Sequence, residues 1–435
     1  MICVHSSPLA PLGGRDTGGM NVYVRELSWE LGKRGLQVDI FTRLQDATTP
    51  RVIALSPEVR VIHLKAGPSA PYDKNILWWH LPEFVARLRR FAREEEIRYE
   101  ILHSHYWLSG WVAWRLKRVW ESPVVQRFHT LGYLKNRVAR GGAEKEPSLR
   151  ILWEKALLRV INRVVVATPG EREEMISFQG IAPEKVEVVP CGVDTDRFYP
   201  IPSREARGYL GLSNIPLVLF AGRIDPIKGI DTLIKAIGIL TQEPPFKKKG
   251  GLRLLVIGGN PENKEENREL KAMKGLSADL GLSDKVVFMP AQTQERLTYF
   301  YSAADVLALP SRYESFGMVA LEAMACGTPV IASHVGGLPY NVPEEAGFLV
   351  PEGEEYLLAE KIGWVLREGE LRSRLGRGGV KWAQGFCWSK VADQVLSLYG
   401  RVLTDRCLRH SAVSPRSWAG SFESLPEMGR LQEEG

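Results

Sequence analysis

The chain has 435 residues, 44% hydrophobic and 25% charged, a balance that belongs to a soluble globular protein and, at this length, to two domains rather than one core. No apolar run approaches the roughly 20 residues that span a bilayer, the start "MICVHSSPLAPLGG" lacks the regions of a signal peptide, and five scattered cysteines without a C-x-x-C pair suggest neither a disulfide framework nor a zinc site, so a cytoplasmic enzyme is expected. The net charge of +6 is uneven: residues 1–197 hold 29 Lys+Arg against 23 Asp+Glu and the remainder 28 against 28, which reads either as an ordinary solvated surface or as a preference for an anionic ligand in the first half.

Short β-branched runs alternate with helical periods, the pattern of parallel sheets covered by helices. "ICV" is a very short first strand ahead of His5, which predicts that residues are missing before Met1. A helix follows over 21–35, with Val24, Leu27 and Leu31 on one face. Strands are then predicted at 38–42, 59–64, 100–104, 124–128, 163–168 and 186–190. "GVDTDRFYPIPS" (192–203) reads as a linker between an N-terminal domain, 1–197, and a C-terminal domain, 198–387. The second half repeats the theme with strands at 216–222, 252–259, 285–290, 305–310 and 328–333, and "PPFKKKGG" (244–251) as an exposed loop. A last helix is predicted over 388–403, ending by 405, and the aperiodic tail 406–435 as disordered. The fold class is α/β, with two doubly wound domains in tandem.

Ligands of open α/β sheets bind outside the carboxyl ends of strands, where loops enter helices. Four loops in such places are rich. "PLGGRDTGGMN" (11–21) has glycines that let backbone approach a ligand, although it also reads as a plain turn; it is neither G-x-G-x-x-G nor a P-loop. "GRIDPIKGID" (222–231) sets Arg223 and Lys228 where two cations suit a diphosphate, or solvent. "LPSRYESFGMVALEAMACG" places Glu314 just before a helix and Glu322 about two turns into it, among small apolar residues. A buried carboxylate costs several kcal/mol unless hydrogen-bonded; sugar hydroxyls would serve, and so would a cap or an ion pair with a neighbour. "VGGLPYNV" (335–342) is the fourth. In the first half, "ILHSHYWLSG" and "RFHTLGYLKN" end strands with His103, His105, Tyr106, His129 and Thr130, whose spacing is not that of a zinc site.

Together, the Glu314-x7-Glu322 pair, "GRIDPIKGID", "VGGLP" and the "GVD..RF" linker resemble the retaining family 4 glycosyltransferases of GT-B architecture, two Rossmann-like domains facing each other across a cleft, over about residues 1–405. Within that family, "SPLAPLGGRDTGGMNVYVREL", "HSHYWLSG" and "HTLGYLKN" are similar to the branch that glycosylates D-inositol 3-phosphate in mycothiol synthesis. The resemblance implies a hexosyltransferase that moves a sugar, best matched by GlcNAc, from a UDP-sugar to a phosphorylated polyol, best matched by 1D-myo-inositol 3-phosphate. It implies donor binding by Gly18, Gly19, Arg223, Lys228, Gln292, Glu314 and Glu322, and acceptor binding by His5, Asn21, Lys74, Tyr106, Thr130 and Arg150. Arg223, Lys228, Glu314 and His129 would be the catalytic set, with Arg223 and Lys228 stabilising the departing UDP and His129 lining the donor sugar rather than acting as principal base. The leaving phosphate would take the acceptor's proton, with no covalent sugar–carboxylate intermediate, after closure of the domains. The final helix would cross back to the first domain. No metal site and no required cofactor are implied, Mg²⁺ being at most a structural or nucleotide-associated ion. The implied partners are the two small-molecule substrates, with a homodimer allowed, no nucleic acid and no membrane.

Two other transferases of the group fit the same motifs, one like sucrose-phosphate synthase and one like phosphatidylinositol mannosyltransferase. The second would want a basic amphipathic helix, and "FVARLRRFAREEEIR" (84–98) has a basic face weakened by Glu94–Glu96. A different class, a nucleotide-sugar-binding protein without turnover or an epimerase, is disfavoured because every transferase motif residue is present.

Overall fold

The computed structural model describes residues 1–11, 17–70, 72–247, 251–259 and 264–412. Parts of four segments named above lie outside these residues: 12–16 of the first glycine loop, Pro71 ahead of Lys74, 248–250 of the lysine-rich loop, and 413–435 of the tail.

The first half holds β1 (Val38–Arg43), β2 (Val52–Ala54), β3 (Val59–Leu64), β4 (Leu102–His105), β5 (Val124–Arg127), β6 (Arg163–Val166) and β7 (Val186–Val188), hydrogen-bonded in the orders β1-β3-β2 and β4-β5-β6-β7. Residues 1–3 join these two sets. Ile2 N–H donates to the His103 carbonyl at 2.9 Å and its own carbonyl accepts from His105 N–H at 3.0 Å, while Cys3 N–H donates to the Phe41 carbonyl at 2.8 Å. The expected first strand is therefore present as isolated bridges from Ile2 to Phe41 and to Ser104. The second half forms one six-stranded parallel sheet, β8 (Leu217–Ala221), β9 (Arg253–Ile257), β10 (Val286–Met289), β11 (Val306–Leu309), β12 (Val330–Ser333) and β13 (Gly347–Val350), in the order β10-β9-β8-β11-β12-β13. The central strands β8 and β11 are wholly buried, which is why they read as continuous apolar runs rather than alternating ones.

Sequence order reverses at one place in each half: between the Ile2 segment and β4, and between β8 and β11. Loops leaving neighbouring strands diverge at such a point and leave a crevice. The glycine loop and the His105–Tyr106 turn flank the first crevice; the Arg223 and Glu314 loops flank the second.

Several expectations need correction. β2 and β13 were not predicted: β2 is a three-residue, largely exposed edge strand, and β13 opens on Gly347 just after Pro343, so turn residues mask it. The turn Pro244–Lys247 is helical rather than an open loop and buries Phe246. The final helix runs Trp388–Ala412, so residues 406–412 extend it instead of starting the tail. The helix bearing Glu322 is Met318–Ala325, which puts Glu322 about one turn in, not two.

The chain passes between the halves twice at one place. Val193 N–H donates to the Phe386 carbonyl at 2.8 Å, and Val193 bridges Cys387 in parallel fashion. From there the final helix packs on the first half, where Tyr399 Oη meets His103 Nδ1 at 2.7 Å and Arg34 binds Asp393 at 2.8 Å. Gly192 makes this crossing close enough, because a Cβ there would stand 2.5 Å from the Trp388 ring. Gly192→Ala is expected to cost about 1–3 kcal/mol, read as a lower urea midpoint at constant m-value; an unchanged midpoint would contradict this packing.

Candidate functional site

In the second half the site is built from loops that follow β8 and β11. After β8 the chain passes Arg223 and enters a single turn, Pro226–Lys228, capped by the Asp225 carboxylate, which accepts from Ile227 N–H at 3.1 Å. Burial pushes the Asp225 carboxyl up, but Arg223, the Ile227 amide and Lys228 together hold it below the usual range. The turn closes on Gly229 at φ +65°, where a Cβ would stand 2.0 Å from the Pro310 carbonyl oxygen, so only glycine lets the two loops approach. The approach lets Lys228 Nζ donate to Glu314 Oε2 at 2.5 Å. Arg223 stands beside Asp225, 3.6 Å from its carboxylate.

Glu322 is buried at 8% exposure, and its Oε2 accepts from the Tyr301 hydroxyl at 2.7 Å. Burial pushes this carboxyl up to about 7, against the Tyr301 hydrogen bond and the more distant Arg197. Gln292 lines the same cleft and donates to the Pro290 carbonyl at 2.8 Å.

Across the cleft stands the helix Gly19–Lys33, whose start faces the helix Met318–Ala325: a Cβ on Gly19 would lie 3.2 Å from Met318 Sδ. First-turn amides lack intrahelical partners, so two helix N-termini converge on one place suited to a phosphate. Gly18 caps the first of them, with its N–H held by Asn21 Oδ1 at 3.0 Å. The Asn21 amide nitrogen donates to Ser6 Oγ and the Ser7 carbonyl at 2.7 and 2.6 Å. Asn21, expected at the acceptor, thus spends its donors on fixing the loop.

The remaining first-half residues end strands. Tyr106 follows β4 at φ +74° and His129 follows β5 at φ +62°, conformations that cost non-glycine residues of order 1–3 kcal/mol and persist where surroundings hold them. His129 Nε2 meets His105 Nδ1 at 3.1 Å. Burial first, then Arg127 and His103, hold His129 well below the usual imidazole range, so it is neutral near pH 7. Arg150 is 2% exposed; Nε reaches Glu154 at 2.7 Å, Nη1 reaches Glu146 at 2.9 Å, and Nη2 donates to the Thr130 carbonyl at 2.8 Å and hydroxyl at 3.0 Å. Its guanidinium also lies over the Tyr106 ring, 4.7 Å from the centroid.

One cavity of ≈ 370 Å³ joins the two halves of the site, and every residue expected at the donor, the acceptor or the chemistry lines it. It is also lined by residues that the sequence reading passed over. Lys135 is paired with Glu146, which is held down to about 2: burial raises it, but Arg150 and Lys135 outweigh that. Lys135 stands inside "HTLGYLKN", so its cationic side chain beside Thr130 was a usable signal. Arg127 is buried with Nη1 on the Val189 carbonyl at 2.8 Å. Glu171 accepts from the Ala167 amide at 2.7 Å, and burial pushes its carboxyl up against that bond. Nothing in local sequence marks Tyr301, whose partner Glu322 lies on another helix, whereas Glu171 completes the T-x-x-E capping signature begun by Thr168, whose hydroxyl accepts from the Glu171 amide at 3.1 Å. Among the described residues no group of His, Cys, Asp or Glu is arranged to hold a metal ion, and no helix is long and apolar enough to cross a membrane.

Comparison with known proteins matches residues 17–197 to the profile of Glycosyltransferase Family 4 and residues 205–382 to that of Glycosyl transferases group 1. Proteins named D-inositol 3-phosphate glycosyltransferase are similar over nearly the full length: that of Mycobacteroides abscessus is 40% identical over 93% of this chain and 89% of its own, and that of Nocardia farcinica 40% over 99% and 94%. Among solved structures, a sucrose-phosphate synthase from Thermosynechococcus elongatus superposes with TM-score 0.85 at 36% identity, covering 93% of this chain and 98% of its own. The Anabaena protein HepE in complex with UDP and glucose shares the fold, with TM-score 0.71 at 20% identity over 92% and 99%.

The buried carboxyl makes a prediction that needs no ligand. With its folded pKa about 7 and its unfolded value near 4.5, Glu322 holds a proton more readily when folded, so stability falls as pH rises from about 4.5 to 7. Glu322→Gln is expected to flatten that decline, gaining about 3 kcal/mol relative to the parent between pH 5 and 8. Denaturation midpoints across that range check this, and parallel curves for both proteins would refute it.

Proposed function

Since the chain belongs to the family 4 glycosyltransferases and is therefore a GT-B enzyme that uses a nucleotide-sugar donor, we propose that it transfers N-acetylglucosamine from UDP-GlcNAc to 1D-myo-inositol 3-phosphate with retention of anomeric configuration. One observation carries this reading: a single cavity connects the Lys228–Glu314 pair to a cationic pocket of Lys74, Lys135 and Arg150 in the half that holds all the excess positive charge. A donor needs a pyrophosphate clamp, and an acceptor bearing a phosphate needs cations of its own. The names of relatives at 40% identity agree with that pairing.

In this reading the uridine ribose diol replaces solvent at Glu322, and Glu314 and His129 take hydroxyls of the donor sugar. The pyrophosphate sits between Arg223, Lys228 and the facing helix starts. The glycosidic bond to the β-phosphate breaks as negative charge grows on that phosphate, where fixed cations and amides stabilise it. A phosphate oxygen takes the proton of the acceptor hydroxyl, which attacks from the same face. His129, neutral and buried, orients the sugar and takes no proton in the step. No metal enters the chemical step, because the two cations supply its charge; Mg²⁺ is assigned at most a nucleotide-associated place. The acceptor phosphate meets Lys74, Lys135 and the Thr130 hydroxyl, with Arg150 fixing Thr130. Both substrates are water-soluble metabolites, which suits a cytoplasmic enzyme.

A second reading is favoured by the 36% identity to a sucrose-phosphate synthase: the same clamp with glucose as the sugar and fructose 6-phosphate as acceptor. Incubation with UDP-, GDP- and ADP-sugars against inositol 3-phosphate and fructose 6-phosphate, with product masses as readout, separates the two. The proposed function expects a GlcNAc-inositol phosphate mass that depends on both substrates; UDP release indifferent to any acceptor would sink both readings. Lys228→Ala is expected to lower kcat about 10²-fold or more, and near-normal turnover would remove Lys228 from the leaving-group role.

A further inference from the structure

Arg312 is 5% exposed and stands two residues before Glu314, yet it lines the far side of the clamp, away from the cleft. Its backbone N–H donates to the Ile227 carbonyl at 2.8 Å, and its Nε donates to the Pro226 carbonyl at 2.8 Å. Those carbonyls belong to the turn whose last residue is Lys228, and Lys228 returns to Glu314. Arg312, the turn, Lys228 and Glu314 therefore form a closed ring that sets the position of the Lys228 ammonium. The outer end of the guanidinium crosses to the other half of the protein. Nη1 reaches Glu144 Oε2 at 3.4 Å and the Val138 carbonyl at 3.5 Å. Val138 ends the helix carrying Lys135 (Gly132–Val138), and Glu144 stands between it and the helix carrying Arg150 (Ser148–Val160), which is to say between two walls of the acceptor pocket.

The crossing is polar rather than close-packed. A second cavity of ≈ 260 Å³ lies against it, lined by Arg140, Glu144, Asp225, Asp231, Glu269 and Arg312. Arg140 adds ion pairs of similar length to Asp231 and Glu352, at 3.4 and 3.6 Å with Arg140 itself mostly exposed, which contribute little on their own. The Arg312 contacts differ because the arginine is buried on the donor side and must keep its bonds there.

We propose that Arg312 is a positioning residue that couples the segment 138–146 of the acceptor half to the placement of Lys228 in the donor clamp, with Glu144 as its partner across the cleft. The inference rests on the assignment of Lys228 and Glu314 to the donor. A nucleotide diphosphate that draws Lys228 toward its phosphates shifts the ring and tightens Arg312 on Glu144; an empty clamp leaves the segment looser.

Hydrogen exchange with UDP as the only probe tests this on the full chain. In the parent protein, saturating UDP is expected to slow exchange of amides in 138–146 about tenfold. In Glu144→Gln that protection is lost while the Kd for UDP stays within threefold. Arg312→Lys keeps the charge but not the fork, and is expected to lose the protection and weaken UDP about tenfold. Where transfer is measurable, Glu144→Gln lowers kcat about tenfold with the donor KM within threefold. Exchange in 138–146 indifferent to UDP in the parent, or protection unchanged in Glu144→Gln, overturns the coupling. UDP binding that is lost in Lys228→Ala while 138–146 stays indifferent would retain the donor assignment and discard only this inference. Failure of the parent to bind UDP at all removes both.

Discussion

The ion pair between Lys228 and Glu314 depends on β8 and β11 lying side by side. These two side chains, 86 residues apart along the chain, become neighbours only because the order of the second sheet reverses between the strands that precede them. A cation and an anion are thereby held at one strand-end crevice, in a setting dry enough to strengthen them and open enough to admit a ligand. The first half repeats the device with the Ile2 segment and β4, and the two crevices face each other. The 370 Å³ cavity is the space between them.

Charge in this cavity is divided by side. The second-half side mixes cations with carboxylates, one of which, Glu322, is costly to ionise. The first-half side holds Lys135 and Arg150 against Glu146 and Glu154, so its arginine is already committed to protein partners. Between them, His129 and His105 are kept neutral by burial and by Arg127. The middle of the cleft is thus poor in mobile protons, which suits chemistry in which the leaving phosphate itself takes the acceptor's proton.

Much of the fold was legible in the sequence. The alternation of β-branched runs with helical periods foretold parallel sheets, and eleven predicted strands match observed ones to within a residue or two. What escaped was short or punctuated: β2 at an exposed edge, β13 behind Pro343 and Gly347, and the last turns of the final helix, where composition resembled a tail. The motif residues were legible for a different reason. Glycines beside charged side chains at strand ends are poor core material, so their presence there asks for a ligand.

Local sequence by itself determined most of the elements and the two-part plan, since periodicity is written into neighbouring residues, and it singled out the strand-end loops that line the cavity. Only the tertiary structure decided the partners. That Lys228 meets Glu314, that Tyr301 satisfies Glu322, that Asn21 is spent on its own loop, and that Arg312 reaches Glu144 across the halves all depend on strand order and on the Val193–Phe386 crossing. Strand order is fixed by how whole sheets bury their faces, a sum over many distant contacts that no short stretch of sequence carries.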